Sequence, residues 1–182
     1  DRMANEVQDL DLDHPWSLSP EDALDIAIEC ENHARKLEQI TNSEGATLNT
    51  SRGTSIYANT HGFMGSYTST RHSLSCVVVA ENNGSMQRDY WFTTSRNPSD
   101  LESAVAVGEK AANRTVSRLG ARKISTQTTP VIFEANMARS LLSNFVSAIS
   151  GGALYRKASF LLDQLDKKIF SDSVNIIDDP HI

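Results

Sequence analysis

Apolar positions follow changing rhythms along the chain. Between residues 20 and 40, Ala23, Ile26, Ala27, Cys30, Ala34 and Leu37 recur at intervals that place them on one face of a helix. Ser19-Pro20-Glu21-Asp22 opens it with a hydroxyl cap, a proline where no N–H is needed, and carboxylates beside the positive end of the helix dipole. The spacing predicts an amphipathic helix reaching about Ile40.

From Ala46 to Ser95 the period drops to two. Segments rich in Thr, Tyr, Val and aromatics are separated by Arg52-Gly53, His61-Gly62 and Asn82-Asn83-Gly84, each read as a turn. Connections this short cannot carry parallel crossovers, so an antiparallel meander is expected. Asn97-Pro98-Ser99 stops it. Ser99 with Glu102 reads as a capping box for a second helix, striped by Leu101, Ala104, Val105, Gly108, Ala112, Val116 and Leu119 and ended by Gly120. A polar link over 121–129 precedes a short strand, Pro130–Phe133, that runs into a third helix to about Ile149. Residues 153–165 read as helix again, and 173–178 as a final strand. The fold class expected is α+β: an antiparallel meander covered by helices on one face, a two-layer sandwich. Residues 1–18 read as an extended acidic arm and 19–182 as one α+β domain, cut from something longer.

Composition narrows the setting. With 182 residues and 39% hydrophobic content the chain can bury a real core. It has no long apolar run and no signal-like start, and Cys30 and Cys76 sit among apolar neighbours without a CxxC partner. A cytoplasmic protein without a membrane segment is expected. The net charge of −6 is uneven: residues 1–31 hold ten acids and one base, so the remainder is mildly basic. Nucleic acid is therefore a poor match for the acidic part.

Most signatures of chemistry are missing. The chain has no GxxxxGK[ST] loop, no GxGxxG and no GxSxG. His14, His33, His61, His72 and His181 show no metal-binding spacing. His61 and His72 read as surface or hydrogen-bonded core residues. Lys110, Arg114 and Arg118, four apart, share one helical face and form the best candidate for a polyanion or partner contact, although a solvated face explains them more simply. Asp9, Asp11 and Asp13 alternate along the arm without the glycine turn or late glutamate of a calcium loop, and read as solvated. Glu134 stands at a strand-to-helix junction, where peptidases with an H-E motif set their metal ligands. Neither neighbouring nitrogen ligand is there.

Two stretches, residues 45–96 and 129–165, resemble the TldD/PmbA family, once called modulators of DNA gyrase, in its PmbA (TldE) branch. The resemblance covers essentially the whole chain and implies a PmbA/TldD-type domain from the middle of a longer protein. TldD-type chains carry HExxxH and bind zinc; the matching positions here read Phe133-Glu134-Ala135-Asn136-Met137-Ala138. Phe133 and Ala138 replace both histidines, so the resemblance implies no metal in this chain, zinc in an HExxxH-bearing TldD-like paralogue, and Glu134 as the remnant of a catalytic position. It implies a subunit of a heteromeric metallopeptidase acting on unfolded or extended peptides, as in leader-peptide trimming and antitoxin degradation, with a homodimer also open. The rivals are a stand-alone metalloprotease with ligands outside this segment, and a polyanion-binding regulatory module built on Lys110, Arg114 and Arg118.

Overall fold

The computed structural model describes residues 6–179. The chain divides between Lys123 and Ile124 into two compact units. That boundary falls inside the span 19–182 expected as one domain.

The first unit runs α1 (Pro20–Ala34), β1 (Ile40–Ala58), β2 (Met64–Asn82), β3 (Ser85–Ser95), a 3₁₀ turn at Pro98–Asp100, and α2 (Ala104–Ser117). The strands form one antiparallel sheet in the order β1-β2-β3. Even-numbered residues of β2 face the helices: Leu74, Cys76, Val78 and Ala80 are buried with Cys30 and Ala34 of α1 and Ala104, Val107, Ala111 and Ala112 of α2. Each fully buried Val or Leu contributes about 1.5–3 kcal/mol. The expected α+β meander with helices on one face is what the chain forms.

Several boundaries differ from the sequence reading. α1 starts as expected, with the Ser19 hydroxyl accepting from Asp22 N–H at 3.0 Å, but stops at Ala34. The apolar spacing continues to Ile40 because Ile40 is also buried and Leu37 half-buried against the core, through a turn in which Ile40 N–H donates to the Leu37 carbonyl. Arg52-Gly53 is no turn; it lies inside β1, paired with Thr70 and Ser69. The meander therefore has three strands, two of them long. The true turns are at 59–63, where the Asn59 side chain accepts from His61 and Phe63 N–H, and at Asn83-Gly84, both with positive φ, the two-residue hairpin loop that matches strand twist.

The Ser99/Glu102 capping box does not form. Asn97 caps the 3₁₀ turn, and Ser103 caps α2 by accepting from Ala106 N–H at 3.2 Å. Leu101 is extended and Glu102 lies outside the helix, where Thr93 Oγ1 accepts from Glu102 N–H at 3.1 Å and ties the segment to β3. α1 and α2 cross closely at Gly108, where an added Cβ would lie 2.2 Å from the Cys30 carbonyl oxygen.

The second unit contains α3 (Ala135–Ile149) and α4 (Gly151–Tyr155), the latter capped by Ser150. Pro130–Phe133 is not a strand, since it has no ladder partner. The helix expected over 153–165 ends at Tyr155; Lys157, Asp163 and Asp166 adopt left-handed φ and turn the chain instead. No strand forms over 173–178. Among the described residues of this unit only Ala148 is a buried apolar residue, and Phe145 meets Phe170 edge-on at 5.3 Å.

Candidate functional site

Glu134 is the N-cap of α3. Its backbone is extended (φ −60°, ψ 143°) and its carbonyl accepts from Met137 and Ala138 N–H, while its carboxylate caps no backbone N–H and instead accepts from Asn136 Nδ2 at 3.0 Å. The side chain is exposed, beside the positive end of the helix dipole. Phe133 precedes the helix and is exposed; Ala138 lies half-buried in the first turn. A phenyl ring and a methyl group offer no lone pair to a metal. Among the described residues no group of three or more His, Cys, Asp and Glu is placed to hold one.

The basic ladder at the C-terminal half of α2 pairs with acids, with Lys110 and Arg118 still exposed and Arg114 half-buried. Lys110 Nζ donates to Glu102 at 2.7 Å, and Glu102 also accepts from Trp91 Nε1 at 3.3 Å. Lys110 and Arg114 sit 5.2 and 5.0 Å from the centre of the Trp91 ring, within cation–π range. Asp89, on the helix-facing side of β3 and 11% exposed, lies 3.8 Å from Arg114 and 3.5 Å from Arg118. A carboxylate this deep needs compensating charge, and these arginines supply it. Arg114 Nε, itself buried, falls short of hydrogen-bond distance. The ladder clamps α2 to β3, which leaves less free charge for a polyanion.

Asp9 and Asp11 on the arm are exposed, as a solvated segment would be, while residues 12–14 are seated on the sheet. Thr70 N–H donates to the Leu12 carbonyl at 2.9 Å, and His14 N–H donates to Thr70 Oγ1 at 2.9 Å. Arg52 grips Asp13 with two bonds, Nε to Oδ1 at 2.8 Å and a terminal nitrogen to Oδ2 at 2.6 Å. That guanidinium holds the Asp13 carboxyl below its usual range. Beneath the arm His72 is fully buried: one ring nitrogen donates to the His14 carbonyl at 2.9 Å, the other bonds the Thr50 hydroxyl at 2.8 Å, and Trp16 meets the ring edge-on at 5.5 Å. His72 is thus the hydrogen-bonded core residue of the sequence reading. Nothing local announced the Asp13–Arg52 pair, whose members stand 39 residues apart.

Cys30 and Cys76 are fully buried where α1 meets β2. The adjacent Cys76 sulfur, followed by burial, pushes the Cys30 thiol up. This is a packed contact, without the exposure a nucleophile needs.

Comparison with known proteins adds the following. Residues 13–119 match the PmbA/TldA metallopeptidase central domain, and residues 126–182 the PmbA/TldA metallopeptidase C-terminal domain. The two matches meet where the chain divides into its two units. The chain is 45% identical to Metalloprotease PmbA of Escherichia coli O157:H7 over 181 residues, covering 99% of this chain and 40% of that protein. It is 42% identical to the Metalloprotease PmbA homolog of Haemophilus influenzae over 183 residues, covering 100% and 41%. The chain thus spans about two fifths of the length of these curated relatives. A crystal structure of a candidate modulator of DNA gyrase from Bacteroides thetaiotaomicron matches with a TM-score of 0.86 and 29% identity, over 93% of this chain and 39% of that one. A Thermotoga maritima structure matches in fold, with a TM-score of 0.75 at 21% identity, over 90% and 37%.

Proposed function

The chain belongs to the PmbA/TldD metallopeptidase family, and from that premise we propose that it is a PmbA/TldE-type, non-catalytic subunit of a heteromeric zinc metallopeptidase acting on unfolded or extended peptides. The donor chemistry at the degenerate motif carries the reading. Phe133 and Ala138 stand where HExxxH would supply nitrogen ligands, so the donor set of this segment does not fit a zinc ion. Zinc and the metal-bound water belong to the HExxxH-bearing paralogue. Glu134, exposed and bonded only to its own helix start, keeps the position of the catalytic glutamate and serves α3 through the dipole.

The sheet supports a role in handling substrate. Its edge strands, β1 and β3, offer backbone groups to which an extended polypeptide can add by main-chain hydrogen bonds, a sequence-tolerant mode suited to leader peptides and unfolded antitoxins. The second reading, a metalloprotease in its own right with ligands outside this segment, is favoured by the relatives' names.

Elemental mass spectrometry of the full-length protein separates the two. The subunit reading expects no zinc in the protein alone and stoichiometric zinc in its complex with an HExxxH-bearing paralogue. Stoichiometric zinc in the protein alone would overturn it in favour of the second reading.

A further inference from the structure

Beyond His72 the third strand is gone and the arm takes its place. β3 pairs with β2 only from His72 to Asn82, whereas β1 follows the other edge of β2 to Met64. On the flank that β3 leaves, the arm runs beside β2 in the same direction and in step with it. Val7 lies against Gly65, where an added Cβ would collide with it. Thr70 N–H donates to the Leu12 carbonyl at 2.9 Å, and a His72 ring nitrogen donates to the His14 carbonyl at 2.9 Å. Each of these three pairs is 58 residues apart, so the arm tracks β2 residue for residue. It lies as an extended peptide lies when it adds to a sheet edge.

The seat is weakly held. Among the described residues a single main-chain bond joins arm and strand, the one at Thr70. Asp11 turns to a left-handed φ of 51°, which interrupts the extended backbone a ladder needs. The strongest tie is the two-bonded Asp13–Arg52 pair, and it is open to water, with Arg52 58% and Asp13 31% exposed. Exposed pairs of this kind contribute little to stability. Arg52 belongs to β1, so its guanidinium stays with the sheet when the arm lifts. Lifting the arm therefore frees the Thr70 N–H and an uncompensated cation together, on a segment from the low-stability end of the structure.

We propose that the β2 edge over residues 65–72 is a strand-addition site for an extended peptide carrying a carboxylate, and that the arm is its built-in competitor; the choice of an extended peptide rests on the peptide-handling reading above. The arm itself displays the chemistry the site takes. It offers a carbonyl to Thr70 and, one residue later, a carboxylate to Arg52, while Gly65 leaves room for the apolar side chain that Val7 now supplies. An incoming peptide must displace the arm, so its apparent affinity is reduced by the fraction of molecules in which the arm is seated.

The test is fluorescence anisotropy of a labelled peptide of the arm's own sequence, residues 6–16, with the full-length protein as wild type, Asp13→Ala, Arg52→Ala and the double variant, alongside amide hydrogen exchange at Thr70. Asp13→Ala weakens the arm and leaves the site intact; Asp13→Asn carries the test if the alanine variant does not fold. The expected result is faster exchange at Thr70 in Asp13→Ala, slowed again by the peptide, and an affinity for the peptide raised about threefold or more over wild type. Arg52→Ala, alone or with Asp13→Ala, should lose that gain. Equal affinity in wild type and Asp13→Ala, or binding to neither, would overturn the proposal. Unchanged exchange at Thr70 would overturn it too, by showing that Asp13 does not latch the arm. The zinc measurement judges the subunit reading separately: zinc confined to the paralogue with no gain in peptide affinity refutes this inference alone, and zinc in the protein alone with the gain intact refutes only the subunit reading.

Discussion

At the scale of single residues, position and chemistry separate at Glu134. On the subunit reading proposed above it keeps the place of a catalytic glutamate, while its carboxylate faces water and accepts from Asn136. Glu134→Gln removes a charge from beside the α3 N-terminus and nothing else, at a cost of about 0.3–1 kcal/mol by the dipole. Peptidase activity of the heteromer carrying this variant is expected within about twofold of wild type; a loss of a thousandfold, the mark of a working acid–base group, would refute the remnant reading. The proposed degenerate motif is local, six consecutive residues whose types state which donors are missing, so sequence alone can suggest it. The Asp13–Arg52 grip was not, because its partners are far apart in sequence and neither segment alone shows a reason to pair. The same holds for Asp89. Its burial, and hence its need for Arg114 and Arg118, comes from the alternation of β3 against helices that the ladder alone does not locate.

Among the elements, the helices and hairpin turns were the readable part, and their boundaries were not. Ser19-Pro20 and Asn83-Gly84 behave as their backbone chemistry dictates. Ser99 lost its expected role to Ser103 because Thr93, on a neighbouring strand, holds the Glu102 N–H outside the helix. Arg52-Gly53 passed for a turn because glycine after a charged residue breaks the alternation, while a full-length partner strand keeps it in the sheet. Gly108 shows what the sequence could not: its role is to let α2 approach the Cys30 carbonyl. Gly108→Ala should raise the intrinsic helix preference of α2, yet destabilise the protein by about 1–3 kcal/mol through overpacking. Chemical denaturation measures this, and a gain in stability would mean that the two helices separate without cost.

For the whole molecule, the two units and the two family matches share a boundary that a continuous reading of residues 19–182 did not suggest. Residues 121–129 read as a polar link between elements, but nothing in their composition distinguishes a link within one domain from a boundary between two units. Among the described residues no helix is long and apolar enough to cross a membrane. If the sheet aligns substrates through its backbone, a proline scan of a peptide processed by the complex should slow cleavage at several alternating positions, since each proline removes a donor from the ladder. Equal cleavage rates throughout the scan would exclude strand addition.

The seating of the arm sets an order of assembly. Thr70, which the Leu12 carbonyl engages, follows it by 58 residues, and at about 5–20 residues per second a ribosome needs roughly 3 to 12 seconds to bridge that gap. During that time Trp16 and Leu12 have no hairpin to cover. The segment made earlier can therefore seat on the sheet only after β2 has emerged, and its seating closes a loop of 58 residues.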